Sequence, residues 1–408
     1  MAKNRLRVIF ATFSPLEKGI RLPTNGMVEP MLSFFLPKTS KFTLIDEPHP
    51  GSDRVIPIIE SYKNEKLIKG ISPSIFIYLL YPFLLLRNSV GTRIPFKIRD
   101  FLTVIEYGLR DNYKYDLFFG LESVNTLAGV ILKKFGRVKK VIYYVSDYSP
   151  NRYKSRWFNS LYLSLDKSAT KYCDYIWDVS PALMKARLKA GVNPEFSNKI
   201  IHVPNGLFQE QIKHFPFNKT VPFSLVYAGT LGTENGPDIA IESIFFVKKK
   251  FPKVELHIYG GGQKDLKRLK RLVEKYNLNK NVIFHGFISD PIKLSSQIRN
   301  YRIGLAPYKA IPGSPRWWAD ATKIRLYLAA GLPVITTHVP PLGKELIETN
   351  SGLITKDNAK DIAKTIKEIF SNDTLYQTLR KNAIKKAKNN TWETTYKKAL
   401  SVMGFKNI

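Results

Sequence analysis

Polar side chains that could hold an anion stand at the start of an otherwise apolar segment, ADATKIRLYLAAGLPVIT, residues 319–336. Apolar residues at helical spacing predict a helix that ends at Gly331. Lys323 then lies in the first turn, where a cation opposes the helix dipole unless an anion is bound. A diphosphate would accept hydrogen bonds there from free N–H groups, the Thr322 hydroxyl and the Lys323 ammonium. The simpler alternative is a surface lysine beside a helix cap formed by Asp320 or Thr322.

Glycines follow two apolar runs in the second half of the chain. The run LVYAG ends at Gly229 and is followed by Thr230 and Gly232, and the run LHIYG ends at Gly260. Ligands of open α/β sheets bind at the carboxyl ends of the strands, where glycine lets the backbone approach closely. The pattern predicts a ligand site at two neighbouring strand ends, although tight turns also need glycine.

Carboxylates follow two apolar runs in the first half. Asp147 comes after VIYYVS and Glu122 after YDLFFG. A carboxylate at the end of a strand could accept a proton from an attacking hydroxyl group. For Asp147 an Asx-turn or helix cap before Pro150 is an equal alternative. His285, at the end of NVIFH, is expected to be a packed, hydrogen-bonded residue rather than a catalyst.

Short apolar runs alternate with helical patterns along the whole chain. Helices are predicted between them, for example at 125–135, 158–172, 238–250 and 264–276. This alternation is typical of parallel sheets with crossover helices, so we expect two doubly wound α/β domains. The predicted strands are LRVIFA, FTLID, YDLFFG, KVIYYVS, YIWDVS and KIIHVP, then FSLVYAG, KVELHIYG, NVIFHGF, YRIGLAPY, LPVITT and SGLIT.

The length of 408 residues also suits two domains. We place the first at residues 1–212, a linker at 213–222, the second at 223–390 and a C-terminal helix at 391–408. A hydrophobic content of 44% excludes a disordered protein. The single cysteine, Cys173, excludes an internal disulfide framework and fits a reducing compartment.

The net charge of +31 favours an anionic partner: nucleic acid, acidic lipid or a phosphorylated ligand. The stretch from residue 71 to 99 combines apolar side chains with Arg87, Arg93, Lys97 and Arg99, as in a segment that lies in a membrane interface, although a core segment is equally possible. The chain has no run of about 18 uninterrupted apolar residues and no secretory signal at its start. We therefore expect a cytoplasmic protein, peripheral at the inner face of the cytoplasmic membrane.

The ordered series YAGTLGTENG, LHIYGGG, VIFHGFIS, GLAPY, ADATKIRLYLAAGLPVI and SGLI resembles the nucleotide-sugar-binding domain of GT-B glycosyltransferases of the group 1 type. The resemblance extends from Phe223 to about Thr355. It is looser in the first half, where KVIYYVSDYSP, YIWDVSPALM and HVPNG carry it. It implies two Rossmann-like domains facing a central cleft, the first for the acceptor and the second for the donor, and a C-terminal helix that crosses back to the first domain.

The resemblance also implies roles for particular residues. Gly229 to Gly232 and the helix start at Thr322 and Lys323 would hold the donor diphosphate, and Asp147 would match the base of the inverting subgroup, with Glu122 in reserve. The remaining donor contacts would be Tyr259, Gly260 and Phe287 at the nucleoside, together with Tyr308 and Asp320.

The chain departs from the common retaining members of that family. Their basic pair is replaced by Thr230 and Asn235, and their Glu-x7-Glu pair by Trp318 and Leu326. Lys323 then resembles the phosphate ligand of a subgroup with the pattern D-x-x-K-x-x-x-Y-L-A-x-G-x-P, which includes the xanthan-type glucuronosyltransferases. Without the Glu pair, the stereochemical outcome is open.

We therefore expect a glycosyltransferase that moves a sugar from a nucleotide-sugar to a lipid-linked or surface-glycan acceptor. No Asp-x-Asp pair and no metal-ligand spacing occurs in the sequence, so we expect no metal and no other cofactor. An epimerase of the same fold, an inactive partner subunit and a basic nucleic-acid-binding protein are the alternatives. The last would need basic residues interleaved with stacking aromatics along one groove, and no such module is present.

Overall fold

The computed structural model describes residues 5–18, 20–21, 27–68, 74–85, 93–110 and 112–405. Contacts divide the chain into two units. The first comprises Met1–Val179, Leu183–Val203 and Tyr396–Ile408, and the second comprises Ser180–Ala182 and Pro204–Thr395. The domain limits expected from the sequence remain predictions.

The first unit is built on an eight-stranded sheet of order β10-β9-β8-β7-β1-β4-β5-β6. All six predicted strands of this half are present and parallel. The sequence did not predict the antiparallel pair β5 and β6 at one edge, nor the short hairpin of β2 and β3. The strands are β1 Leu6–Ser14, β2 Leu16–Glu17, β3 Ile20–Arg21, β4 Thr39–Pro48, β5 Ile58–Lys63, β6 Lys66–Ile68, β7 Tyr115–Leu121, β8 Val138–Val145, β9 Tyr175–Asp178 and β10 Ile200–His202.

Helices cover this sheet, and aromatic side chains fill its core. Trp177 of β9 stacks on Tyr396, with ring centres 5.7 Å apart, and Phe34 meets the same tyrosine edge-on at 5.2 Å. The helices are α1 Val28–Phe35, α2 Ile75–Leu85, α3 Arg93–Arg110, α4 Ser123–Lys134, α5 Arg156–Tyr172 and α6 Ala182–Lys189.

The second unit has a six-stranded, entirely parallel sheet of order β13-β12-β11-β14-β15-β16. All six predicted strands are present, which confirms the α/β class. The strands are β11 Ser224–Ala228, β12 Glu255–Tyr259, β13 Val282–Gly286, β14 Ile303–Ala306, β15 Val334–Thr337 and β16 Gly352–Thr355. The helices are α7 Pro237–Val247, α8 Gln263–Lys275, α9 Pro291–Ile298, α10 Thr322–Ala329, α11 Leu342–Glu348, α12 Ala359–Phe370, α13 Asp373–Lys388 and α14 Trp392–Val402, the last grouping with the first unit from Tyr396 onward.

Each sheet has a point where the strand order reverses. In the first unit the chain adds β4 on one side of β1 and then β7 on the other, and in the second it adds β12 on one side of β11 and then β14 on the other. Open α/β sheets bind ligands outside the carboxyl ends of the strands at such a switch point. Glu122 directly follows β7, and Gly229 directly follows β11, so both stand at these positions.

The segment expected to face a membrane forms α2 and the start of α3. Within the described part of the chain, no helix combines the length and hydrophobicity needed to cross a membrane. Arg87 and the side chain of Arg93 lie outside the described residues. The expectation that Arg99 faces a membrane is wrong, because its guanidinium is buried, pairs with Asp100 and donates to the carbonyl oxygens of Val55 and Pro48.

Candidate active site

Lys323 is a buried cation at the switch point of the second unit. It is the second residue of α10 and only 8% exposed. Its Nζ donates to the Tyr227 hydroxyl at 3.2 Å and lies 4.3 Å from the ring centre of Tyr227 and 4.7 Å from that of Tyr308. A Cβ at Gly229 would stand 3.1 Å from Lys323 Cε, so this glycine, at φ +144°, leaves the space that the lysine uses.

The charge of Lys323 is poorly compensated by the protein. Burial lowers its pKa well below the ordinary lysine value, Arg316 lowers it further, and only Glu234 opposes them. Among the described residues, no carboxylate lies within 4 Å of Lys323 Nζ. A buried ammonium group without a counter-ion is costly, and an anion placed beside it removes that cost.

The start of α10 adds backbone donors to this cation. The residue before the helix, Ala321, provides no side-chain cap, and Thr322 is exposed. The first N–H groups of a helix have no partner within the helix and attract anions. The predicted combination of helix start, hydroxyl group and ammonium is therefore present in the second unit.

Asp320 is engaged within the protein. Its two oxygens each accept a hydrogen bond of 2.8 Å from Arg325, and one also accepts the Asn205 N–H at 2.9 Å. Both partners of this ion pair are buried. Asp320 therefore fixes the loop before α10, and direct contact with a donor stays a prediction.

The ion pair of Arg316 with Glu234, near Lys323, was not predicted from the sequence. Arg316, in the turn Pro315–Trp317, donates to Glu234 at 3.2 Å, and Ser314 donates to the other oxygen of the same carboxylate at 2.9 Å. Glu234 belongs to the turn Thr233–Asn235, which follows Gly232. This ion pair ties the loop after β11 to the loop before α10. No periodic pattern in the sequence indicates the pair of Arg316 with Glu234. The only signal is that both residues lie close in sequence to the predicted site.

The positions at which the resembled family has its basic pair are joined to each other here. The Asn235 amide donates to the Thr230 hydroxyl at 2.8 Å, and the Thr230 carbonyl accepts the Tyr227 hydroxyl at 2.6 Å. The loop is thus closed by neutral hydrogen bonds, and Lys323 supplies the positive charge from the other side.

The loops after β11, β12 and β13 meet at the predicted nucleoside region. A Cβ at Gly260 would collide with the Gly229 carbonyl oxygen, and Phe287, which is 66% exposed, lies beside Gly261. Tyr259 is buried, and its hydroxyl lies 2.9 Å from that of Tyr301.

His285 stacks on Tyr259, with ring centres 4.4 Å apart, and lies within hydrogen-bond distance of His257. Burial, and secondarily His257, lowers the pKa of His285. These contacts confirm a hydrogen-bonded histidine, whose ring is stacked on Tyr259 but remains exposed to solvent.

In the first unit, one arginine joins the two predicted carboxylates. Arg152 donates to Glu122 at 3.1 Å and to Asp147 at 3.3 Å, and Lys97 reaches the other oxygen of Glu122 at 2.9 Å. Asp147 remains about half exposed. Arg152 and Lys97 were not among the predicted site residues. They hold both carboxylates at the carboxyl edge of the sheet.

Glu122 is held ionised and in a strained backbone conformation. Although burial on its own raises the pKa of Glu122, Lys97 and Arg152 lower it to about 2. Its φ of 68° and ψ of 167° lie in a region that is essentially restricted to glycine and costs about 1–3 kcal/mol. Such strain persists where the surrounding contacts enforce it, and here two ion pairs do so.

Comparison with known proteins matches part of the chain to a family. Residues 222–372 match the family model described as glycosyl transferases group 1. The poly(ribitol-phosphate) alpha-N-acetylglucosaminyltransferase of Staphylococcus aureus (strain COL) is 27% identical over 141 residues, which are 34% of this chain and 26% of that protein. The match thus spans about a quarter of the length of this curated relative.

Solved structures extend the likeness to the whole fold. The HepE protein of Anabaena, solved in complex with UDP, superposes with a TM-score of 0.67 and 15% identity over 98% of this chain and 100% of that one. Sucrose-phosphate synthase from Thermosynechococcus elongatus gives the same TM-score and identity over 98% of both chains. Residues 222–372 therefore resemble the group 1 glycosyl transferases, and the chain as a whole has the GT-B fold.

Proposed function

We propose that this chain transfers a glycosyl residue from a nucleotide-diphosphate sugar to a hydroxyl group of a lipid-linked or surface glycan. The observation that carries the proposal is the buried Lys323 ammonium, which lies against Gly229 at the switch point of the second sheet with no carboxylate partner in the described chain. In the proposed complex, Lys323 and the free N–H groups of α10 neutralise the diphosphate without a metal ion.

The donor base is proposed from the relatives. HepE was solved with UDP, so a uridine diphosphate sugar is the first donor to test. The Staphylococcus aureus relative is named for transfer to poly(ribitol-phosphate), an anionic polymer. The net charge of +31 would likewise favour an anionic acceptor.

Asp147 is the proposed catalytic base. It is half exposed and has a single hydrogen bond from Arg152, whereas both oxygens of Glu122 are held in ion pairs. In the reaction, Asp147 accepts the acceptor hydroxyl proton, and the hydroxyl oxygen bonds to the anomeric carbon. The bond from that carbon to the diphosphate breaks, and its electron pair leaves with the nucleotide, which Lys323 stabilises. Glu122 and Lys97 position Arg152 and through it Asp147.

The proposal is tested by thermal unfolding with UDP, GDP and ADP for the intact chain and for Lys323→Met. Binding to the folded state alone stabilises it by about 2.7 kcal/mol when the ligand concentration is a hundred times the dissociation constant. We expect stabilisation by one nucleotide, loss of that stabilisation in Lys323→Met, and retention in Lys344→Met, whose side chain is 85% exposed.

Incubation with the radiolabelled sugar conjugate of that nucleotide and a membrane extract then tests transfer. Absence of stabilisation by any of the three nucleotides would contradict the donor site. Stabilisation that persists in Lys323→Met would contradict the role of the lysine.

A further inference from the structure

The solvent-exposed side of helix α2 is apolar, whereas the exposed side of a helix in a globular protein is normally polar. Its sequence, IFIYLLYPFLL, contains no charged residue. Ile77 and Leu84 are buried, and Leu84 packs with Val55 and with Phe96 of α3. The opposite side is exposed and equally apolar. More than half of the surface of each of these side chains is accessible: Ile75, Tyr78, Leu79, Phe83 and Leu85.

This arrangement defines a surface, which we call the α2 face: Ile75, Tyr78, Leu79, Phe83 and Leu85. A helix that is hydrophobic all round is normally buried on all sides or placed in lipid. Eleven residues span about 16 Å, too little to cross a bilayer. Contiguous apolar patches of this kind mark contacts with another protein or with a membrane.

Charge favours a membrane over a second copy of the chain. Residues 66–99, which include α2, contain no acidic residue, and the whole chain carries +31. Lys97 and Arg99 are not counted toward lipid binding, because they pair with Glu122 and Asp100 within the unit. Two such chains repel each other, whereas an anionic lipid surface attracts lysine and arginine beside an inserted apolar face. Tyr78 adds an aromatic ring of the amphipathic type that prefers the interface.

The α2 face also ends near the proposed acceptor site of the same unit. Leu84, in the last turn of α2, packs on Phe96. The next residue, Lys97, bonds to Glu122, which Arg152 joins to Asp147. The helix therefore leads along the unit to the edge of the sheet that carries the proposed base.

We infer that the α2 face binds an anionic lipid bilayer and holds the acceptor site of the first unit at the membrane surface, where a lipid-linked acceptor is presented. The helix lies in the plane of the interface, with Leu79 and Phe83 among the acyl chains. The acceptor part of this inference rests on the proposed function, whereas binding to lipid is independent of it.

The test compares vesicle flotation of the full chain and two double variants. Leu79→Gln with Phe83→Gln removes the centre of the α2 face. Phe135→Gln with Ile347→Gln removes two apolar side chains of similar exposure, 66% and 51%, at the ends of other helices. With phosphatidylglycerol–phosphatidylcholine vesicles, we expect the first double variant to bind at least about tenfold more weakly than the unaltered chain, and the second to bind equally well. Pure phosphatidylcholine is expected to bind the unaltered chain much less.

Any of three results would overturn the inference. The first is that the unaltered chain does not float with the anionic vesicles, and the second is that the two double variants bind them equally. The third is a dimer in sedimentation that only Leu79→Gln with Phe83→Gln dissociates. The last result would assign the face to a second copy. Nucleotide-dependent thermal stabilisation of the same proteins separates the two proposals, because a chain that floats but is stabilised by no nucleotide contradicts the proposed function alone.

Discussion

The two units differ in whether the buried charges at their switch points have partners within the protein. In the second unit, Lys323 is buried against two tyrosines with no carboxylate within 4 Å among the described residues. In the first unit, Glu122 is held between Lys97 and Arg152, and Arg152 also reaches Asp147. The first cluster is neutralised by its own side chains, whereas the second leaves a positive charge for a ligand to neutralise.

The difference indicates which of the two clusters would gain electrostatic balance from a bound anion. A buried charge without a counter-ion lowers the stability of the fold. Such unfavourable groups are expected mainly at functional sites. Of the two carboxylates in the paired cluster, Asp147 has the greater access to solvent and hence to the proposed acceptor. The changes in the free energy of unfolding that substitutions cause should therefore differ between the two clusters in sign as well as in size.

The largest effect is expected on catalysis, from Asp147→Asn. An amide cannot accept the acceptor proton, so kcat should fall by about 10²–10⁴. Stabilisation by the nucleotide should be unchanged, since Asp147 belongs to the first unit. Steady-state transfer rates and thermal shifts measure the two quantities. A kcat within about threefold of the unaltered chain would assign the base to another residue.

A buried cation between two carboxylates provides the stability reference. Arg187 is inaccessible to solvent and donates to Asp178 at 2.9 Å and to Asp166 at 3.2 Å. Arg187→Leu leaves two buried carboxylates without their cationic partner and should lower the free energy of unfolding by about 3–5 kcal/mol. Urea unfolding measures this, with Lys139→Leu, 70% exposed, as the control. A loss below about 1 kcal/mol would show that these carboxylates are readily neutralised.

The fold was largely predictable because buried parallel strands are short apolar runs. All twelve predicted strands are present. The edge pair β5 and β6 was missed because its residues are mostly half-exposed and carry Glu60, Lys63 and Lys66 among the apolar ones. A strand without a buried face leaves no such pattern in the sequence.

The site was predictable only in part, for a different physical reason. The helix start at Thr322 and the glycines at strand ends follow from local rules, and the structure has both. The ion pair of Arg316 with Glu234 joins loops 82 residues apart, and the pair of Lys97 with Glu122 joins positions 25 apart. Such contacts depend on tertiary packing and leave no periodic signal.

Lys323→Met should stabilise the ligand-free protein, in contrast to Arg187→Leu. At neutral pH the buried lysine lowers the free energy of unfolding. The reason is that burial lowers its pKa in the folded state, while the unfolded chain keeps the ordinary value. Methionine has similar length and no charge, so we expect a gain of about 1–3 kcal/mol in urea unfolding.

The stabilisation by Lys323→Met should depend on pH. The unfolded state binds more protons at Lys323 than the folded state, so the stability of the unaltered chain should rise as the pH approaches 10.5, the ordinary lysine value, and the advantage of Lys323→Met should shrink. A destabilised Lys323→Met would mean that the two tyrosines compensate the ammonium without any ligand.

The smallest effect is the pH dependence contributed by Glu122. Its pKa is lowered from 4.5 to about 2 in the folded state, so the unfolded chain binds the proton more readily. The resulting stability is fully present above pH 4.5 and is lost as the pH falls from there toward 2. Because 22% of the side chain remains exposed, solvent screening limits the effect to about 1–2 kcal/mol.

Glu122→Gln keeps the strained backbone and removes only the charge. We therefore expect the difference in unfolding free energy between the unaltered chain and Glu122→Gln to be constant at neutral pH and to narrow below pH 4.5. Glu348→Gln, 58% exposed, is the control and should show no such narrowing. A difference independent of pH down to 2 would mean that Lys97 and Arg152 hold Glu122 by geometry rather than by charge, and the contrast between the two units would then lie in Lys323 alone.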